Sequence, residues 1–197
     1  MRGRSRLVFL AASSLVLLSV VGCGGGGDSG GSSVKLRPTS ISASVSLPPG
    51  YTLAASSLQA QTSAGQSAVS STGQFTATVY GDGPQLCTIL GPSGKPVLVG
   101  WLAGDRKTIS TKSTAEVLLY FGLGAFAHRE SVRSWTLDTI AQSSQLAAVT
   151  EAVNTALAAN PEALNQSPAD ITAAVRTALT ALQGSRAATP AATRSVA

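Results

Sequence analysis

Charged side chains, aromatic rings, histidine and cysteine are all scarce in this chain of 197 residues. Only 12% of the residues are charged and 5% are aromatic, and there are one histidine and two cysteines. A structural zinc site needs four nitrogen or sulfur ligands, which these residue types cannot supply in such numbers. The sequence therefore predicts no metal site, and it contains no motif for a cofactor.

The basic residues do not form the clustered face, interleaved with aromatics, that nucleic-acid binding requires. The densest cationic stretch is Arg106-Lys107 with Lys112 nearby, and we interpret it as a solvated loop. We therefore expect no nucleic-acid partner.

No pattern in the chain marks a catalytic centre. His128 is the only imidazole, and no Gly-x-Ser-x-Gly motif is present to supply a nucleophile. We expect His128 to face solvent or to cap a helix, and we predict no catalytic residue. The alternative is an envelope hydrolase acting on glycan or ester, which would use His128 or a pair such as Glu116 and Glu130.

The N-terminus has the pattern of a secretion signal. Arg2, Arg4 and Arg6 precede an apolar run over 7–21, and Gly22-Cys23 follows it. The run is shorter than the roughly 20 apolar residues that a membrane-spanning helix needs. We therefore predict a cleaved signal peptide over 1–22.

Gly22-Cys23 at the end of this run resembles the lipobox of bacterial lipoproteins, although Val20 stands where that family usually has Leu. The resemblance implies cleavage before Cys23, acylation of Cys23 by chains such as palmitate, and attachment to the membrane of the bacterial cell envelope. An Asp directly after Cys23 would resemble an inner-membrane retention signal, but this chain has Gly24 there. We therefore expect the outer membrane if the host has one. Without the three signal arginines the formal net charge falls from +5 to +2.

Cys87 has no partner for a disulfide once Cys23 bears lipid. It lies in the apolar stretch Gln85–Leu90, so we expect a buried free thiol that behaves as a small hydrophobic residue.

The residues after Cys23 divide by composition. Residues 23–37 are rich in Gly and Ser and are predicted to be a tether. Residues 38–112 are predicted to be a β-rich part, because Ile41, Ala43, Val45 and Leu47 alternate with polar residues. Further strands are predicted over 52–61, 74–80, 85–90 and 97–102, with hairpin-like turns at 81–84 and 91–94.

Residues 113–184 are predicted to be a helical part of the same domain. Ser113-Thr114-Ala115-Glu116 fits a capping box for a helix over 114–123, although Val117–Phe121 fits a strand equally well. Apolar residues at helical spacing predict helices over 146–157 and over 168–182, the second with Ser167 as its cap. The tail, 185–197, has no apolar period and is predicted to be disordered.

Strands followed by helices predict an α+β fold: a small antiparallel β-sandwich or meander with a C-terminal helical segment packed on it. Residues 45–125, with Leu47-Pro48-Pro49-Gly50-Tyr51, then 73–79, then 109–115, resemble β-rich domains of uncharacterised bacterial surface lipoproteins, similar in style to transthyretin-like or carboxypeptidase-regulatory sandwiches. This resemblance implies no catalytic residue.

The sequence thus favours a lipid-anchored, non-enzymatic binding or scaffold module of the cell envelope. Its partners would be the membrane, through the N-terminal lipid, and an envelope protein or glycan. Among the aromatic residues we expect most to be core, and Trp135, between polar neighbours and outside any strong apolar period, is the surface candidate.

Overall fold

The computed structural model describes residues 37–81, 83–127 and 129–187, with the side chains of 130, 131 and 185–187 excepted. These residues belong to one compact unit, which spans 35–197. Strands come first and helices follow, so the α+β prediction is confirmed.

The strands of this part of the chain form two sheets. One has the order β4-β1-β7 and the other the order β3-β2-β5-β6. All pairs are antiparallel except β1 with β7, where Val45 lies opposite Ile109 in a parallel register. The strands are β1 (Pro38–Ser46), β2 (Gln59–Thr62), β3 (Gly65–Ala68), β4 (Gln74–Tyr80), β5 (Gln85–Leu90), β6 (Pro96–Leu102) and β7 (Thr108–Ser110).

Alternation of apolar and polar residues places one face of β1 and one face of β4 in the core. Ala43 and Val45 of β1 are buried, as are Phe75, Ala77 and Val79 of β4. These strands agree with the period-two pattern of the sequence.

The turn at 81–84 does not make a hairpin, which corrects the sequence-based expectation. β4 pairs with β1, whereas β5 pairs with β2 and β6, so the chain crosses here from one sheet to the other. The turn at 91–94 does join a hairpin, because β5 and β6 are antiparallel neighbours. The predicted strand over 52–61 is also largely wrong: only β2 forms there, after a short 3₁₀ turn at Ala55–Ser57.

The described helices are α1 (Thr111–Gly122), α2 (Glu130–Ala141), α3 (Leu146–Ala159) and α4 (Ala169–Ala187). Helix α1 begins three residues before the predicted start. Its cap is Ser110, whose hydroxyl accepts from the backbone N–H of Ser113, while the Ser113 hydroxyl accepts from the N–H of Ser110. The predicted box used Glu116, but that side chain faces Arg106 instead.

Helices α3 and α4 present the apolar stripes that the sequence predicted. Leu146, Val149, Val153 and Leu157 of α3 are all buried. In α4, Ile171 and Ala178 are buried, and Val175, Leu179 and Leu182 pack at the edge of the core. Ser167 does not act as a simple cap: it has a left-handed backbone (φ 48°) at the end of the preceding 3₁₀ turn.

Helix α1 is fixed against strand β6 by side chains that bond to its backbone. The Thr114 hydroxyl accepts from the N–H of Val99 and donates to its carbonyl oxygen, both at 3.0 Å. The Ser113 hydroxyl donates to the same carbonyl at 3.2 Å. Gly100 permits this approach, since a Cβ there would lie 2.6 Å from Ser113 Oγ.

Candidate functional site

Helix α2 and the turn before it expose large apolar side chains to solvent. Phe126 is 68% exposed, Trp135 59% and Val132 38%. Val132 and Trp135 are three positions apart and therefore lie on one face of α2. We group Phe126, from the preceding turn, with Val132 and Trp135 under the name aromatic surface. The prediction that Trp135 lies at the surface is confirmed.

The opposite side of α2 is tightly held. Leu137 and Ile140 are buried in the helical part of the core. The guanidinium carbon of Arg133 lies 5.3 Å from the centre of the Trp101 ring, a cation–π distance. Arg133 Nη1 also donates to the Pro84 carbonyl at 3.2 Å. Val132 and Trp135 are therefore presented by a helix whose position is fixed by the core, whereas Phe126 lies in the 3₁₀ turn at Ala125–Ala127.

Trp101 is the centre of an aromatic cluster behind α2. Its ring stacks on Phe121 at 6.4 Å between centroids and meets Tyr120 edge-on at 5.2 Å. Trp101 and Tyr120 are buried, as expected for core aromatics. Their Nε1 and OH atoms have no hydrogen-bond partner within the described part of the chain.

A polar cleft of about 210 Å³ lies beside this cluster, at the N-terminal half of α1. Arg106 bridges two carboxylates there: its Nη1 is 2.8 Å from Glu116 Oε2, and its Nη2 is 2.8 Å from Asp138 Oδ1. The expectation of a solvated loop is wrong for Arg106, whose side chain is only 19% exposed. The exposed Lys107 and Lys112 also line the cleft.

Burial dominates the electrostatics of Glu116. Desolvation raises the pKa of its carboxyl above the ordinary value, and the positive charges of Arg106 and Lys112 counteract only part of that effect. Arg106 therefore offsets part of the cost of burying the Glu116 carboxylate. It also ties the β6–β7 loop, where it lies, to α1 and α2.

An apolar groove of about 370 Å³ runs between α1 and α4. Leu118, Leu164, Ile171, Val175 and Leu179 line it. Ser167, Thr172 and Arg176 also line the groove, which is otherwise apolar.

Two residues singled out from the sequence, Cys23 and His128, lie outside the described residues, and so does the side chain of Glu130. Cys87 is fully buried, and burial raises the pKa of its thiol to about 12, in agreement with an inert free thiol. Within the described part, no group of three His, Cys, Asp or Glu side chains is placed to hold a metal ion.

The bridge from Arg106 to Glu116 and Asp138 was missed by sequence reasoning. The three residues are separated by 10 and 32 positions along the chain. Arg106 stands between two other charged residues, Asp105 and Lys107, so its sequence context does not point to Glu116 or to Asp138.

None of the helices in the described residues is long and apolar enough to cross a membrane. Comparison with protein-family models, with curated proteins and with solved structures finds no match to this chain.

Proposed function

We propose that the protein is a lipid-anchored module of the bacterial cell envelope that acts by binding rather than by catalysis. The aromatic surface is the observation that carries this proposal. Phe126 and Trp135 are largely exposed, although the chain has few aromatic residues and packs Trp101 and Tyr120 inside. Apolar side chains that lie together in solvent mark interaction surfaces, and Val132 and Trp135 share one exposed face of α2.

The polar cleft supports binding more than hydrolysis. Glu116, one of the two acids that a hydrolase would use, is 6% exposed and its carboxylate is engaged by Arg106. A general acid or base must reach the proton that it transfers. An engaged, buried carboxylate is suited to holding the β6–β7 loop in place.

The anchor is proposed at Cys23 on the basis of its position after the apolar run and Gly22. Stable membrane attachment takes more than one acyl chain, because each buried CH₂ contributes about 0.8 kcal/mol and a single chain holds only marginally. Multiple acylation of one cysteine, as in the lipoproteins that the motif resembles, meets this requirement.

The anchor is tested by Cys23→Ser in the full chain, with Cys87→Ser as the matched control. Radiolabelled palmitate should enter the wild type and Cys87→Ser, and Cys23→Ser should be lost from the membrane fraction. Failure of palmitate to enter the wild type would refute the anchor.

The binding role is tested in cells with a photo-crosslinking amino acid in place of Ser134, an exposed neighbour of Trp135. Trp135→Ala should lower the adduct yield, because truncation of an aromatic anchor costs about 2 kcal/mol, or roughly thirtyfold in affinity. His128→Ala should leave the yield nearly unchanged. The opposite result would be an adduct yield that is lost in His128→Ala and intact in Trp135→Ala. That result would favour the hydrolase.

A further inference from the structure

We propose that the aromatic surface docks on the lipid bilayer that holds the anchor, so that the folded domain touches the membrane directly. This inference rests on the proposed function, because the anchor at Cys23 is what brings the bilayer close. It names the partner of the aromatic surface as a lipid headgroup region.

The side chains of the aromatic surface are those that the boundary between lipid and water favours. Tryptophan has an apolar body and a polar N–H, and it is enriched at the depth of the headgroups, while Phe and Val add apolar area. Phe126 and Trp135 are the two most exposed large apolar side chains in the described part of the protein.

The surface is held in position before any contact is made. Arg133 is turned inward, onto Trp101 and the Pro84 carbonyl, and Leu137 is buried on the core side of α2. The helix therefore needs no reorganisation to present Val132 and Trp135. This lowers the entropic cost of docking.

One exposed cation lies close to the aromatic surface. Arg129, at the start of α2 and three positions before Val132, is exposed and available to an anionic headgroup. Arg133 is turned inward and does not contribute. The Asp138 carboxylate, three positions after Trp135, is 2.8 Å from Arg106 Nη2.

The length of chain between the anchor and the domain keeps the bilayer within reach. Cys23 and Arg37 are 14 residues apart, and a chain of that length spans at most about 50 Å even when fully extended. Once the lipid anchor is inserted, the contact between the aromatic surface and the bilayer is in effect intramolecular. A weak intrinsic affinity of the aromatic surface for lipid is therefore sufficient.

The size of the surface favours lipid over a protein partner. A stable protein interface buries about 800 Å² on each side, which three side chains cannot supply alone. Shallow insertion beside an existing anchor requires no such area, because apolar area and headgroup attraction simply add to the attachment.

The test uses the full acylated protein in vesicles of phosphatidylcholine with a minority of phosphatidylglycerol, with or without lipid that bears a doxyl quencher near the headgroup. The chain has two tryptophans, so the difference between wild type and Trp135→Phe isolates the emission of Trp135. The matched control is Tyr80→Trp in the Trp135→Phe background, because Tyr80 is a half-exposed aromatic residue on β4.

We expect the doxyl lipid to quench Trp135 several-fold more strongly than a tryptophan at position 80, and Phe126→Ser to reduce the quenching of Trp135. Equal quenching at both positions, or none at Trp135, would overturn the docking. Crosslinking of Ser134-substituted protein to another protein in place of lipid would overturn it as well.

The mass of the N-terminal peptide is measured on the same sample. An unacylated chain refutes the anchor, whereas an acylated chain with Trp135 in water refutes only the docking and leaves the anchored binding module intact.

Discussion

Replacement of Arg106 by methionine should destabilise the fold through Glu116. Methionine retains an unbranched apolar stem but removes the charge that faces two carboxylates at 2.8 Å. Glu116 has a side chain only 8% exposed, so the variant leaves a buried carboxylate without its main partner. Removal of one partner from a buried ion pair costs 3–5 kcal/mol.

We expect a loss of about 3 kcal/mol near neutral pH, at the lower end of that range because Arg106 is itself partly exposed. For a domain of this size the loss corresponds to a fall in Tm of about 6–12 °C. Asp138→Asn is the control. Its side chain is 58% exposed, so its loss should cost under about 1 kcal/mol.

The pH dependence has a defined sign. Since burial raises the pKa of Glu116 in the folded state above its unfolded value, the folded state binds the proton more tightly. The stability that the protonated Glu116 carboxyl contributes to the folded state is fully present at pH values below the pKa of Glu116 in the unfolded chain. It is lost as the pH rises through the pKa of Glu116 in the folded state. Removal of Arg106 raises the folded pKa further, so the deficit of Arg106→Met should be largest near neutral pH and should shrink in acid.

Thermal unfolding followed by circular dichroism, at neutral pH and again near the ordinary carboxyl pKa, measures both effects. The double variant Arg106→Met/Glu116→Gln should recover part of the lost stability, because no buried charge then remains. The reasoning is refuted if Arg106→Met melts like the wild type, or if its deficit is the same at both pH values.

Three further changes test the packing. Gly100→Ala should lower the free energy of unfolding by about 1–3 kcal/mol through overpacking, since its Cβ would lie 2.6 Å from a serine hydroxyl of α1. The control Gly104→Ala, whose Cβ would have nothing within 4 Å, should leave that free energy unchanged. A denaturant titration measures both. Leu179→Asp should unfold or aggregate the protein, because it places an unpaired charge at the edge of the core beside α1. The control Thr177→Asp, on the exposed face of α4, should do neither. Normal melting of Leu179→Asp would show that α4 does not depend on this contact. Cys87, with a thiol pKa of about 12, should react with a disulfide reagent only as fast as the protein unfolds, and rapid labelling in native buffer would contradict its burial.

Strong periodicity explains which elements could be predicted from the sequence. β4 and β5 lie at the predicted bounds, and α3 buries all four residues of its predicted stripe. In β4 the buried residues Phe75, Ala77 and Val79 recur at period two, and in α3 the buried residues recur at helical spacing, so the pattern determines both the type of element and its orientation. β5 was predicted instead from a short apolar run between two turns.

The elements that were missed lack such a pattern. β3 and β7 have only 4 and 3 residues and form because neighbouring strands offer them backbone partners. Helix α2 has apolar residues on two sides, with Leu137 and Ile140 buried and Val132 and Trp135 exposed. Because apolar residues lie on two opposed faces of α2, its sequence does not show the single apolar stripe by which a helix is predicted. The exposed one of these two faces makes α2 the candidate binding element.

The candidate site was predictable only in part. The exposure of Trp135 followed from its polar neighbours, but the bridge at Arg106 depends on tertiary contacts between residues far apart in the chain. The position of the α1 cap was ambiguous for a local reason, since Ser110 and Ser113 each stand three residues before a side chain able to complete a box.

The bonds from Thr114 and Ser113 to Val99 also bear on solubility. β6 is the last strand of its sheet, and the free backbone groups of an edge strand are a template on which a second chain can add a strand. At Val99 both the N–H and the carbonyl oxygen are already occupied by hydroxyls of α1. Helix α1 therefore covers the edge of β6 at Val99, and a second chain could pair with the strand there only by displacing the hydroxyls of Thr114 and Ser113.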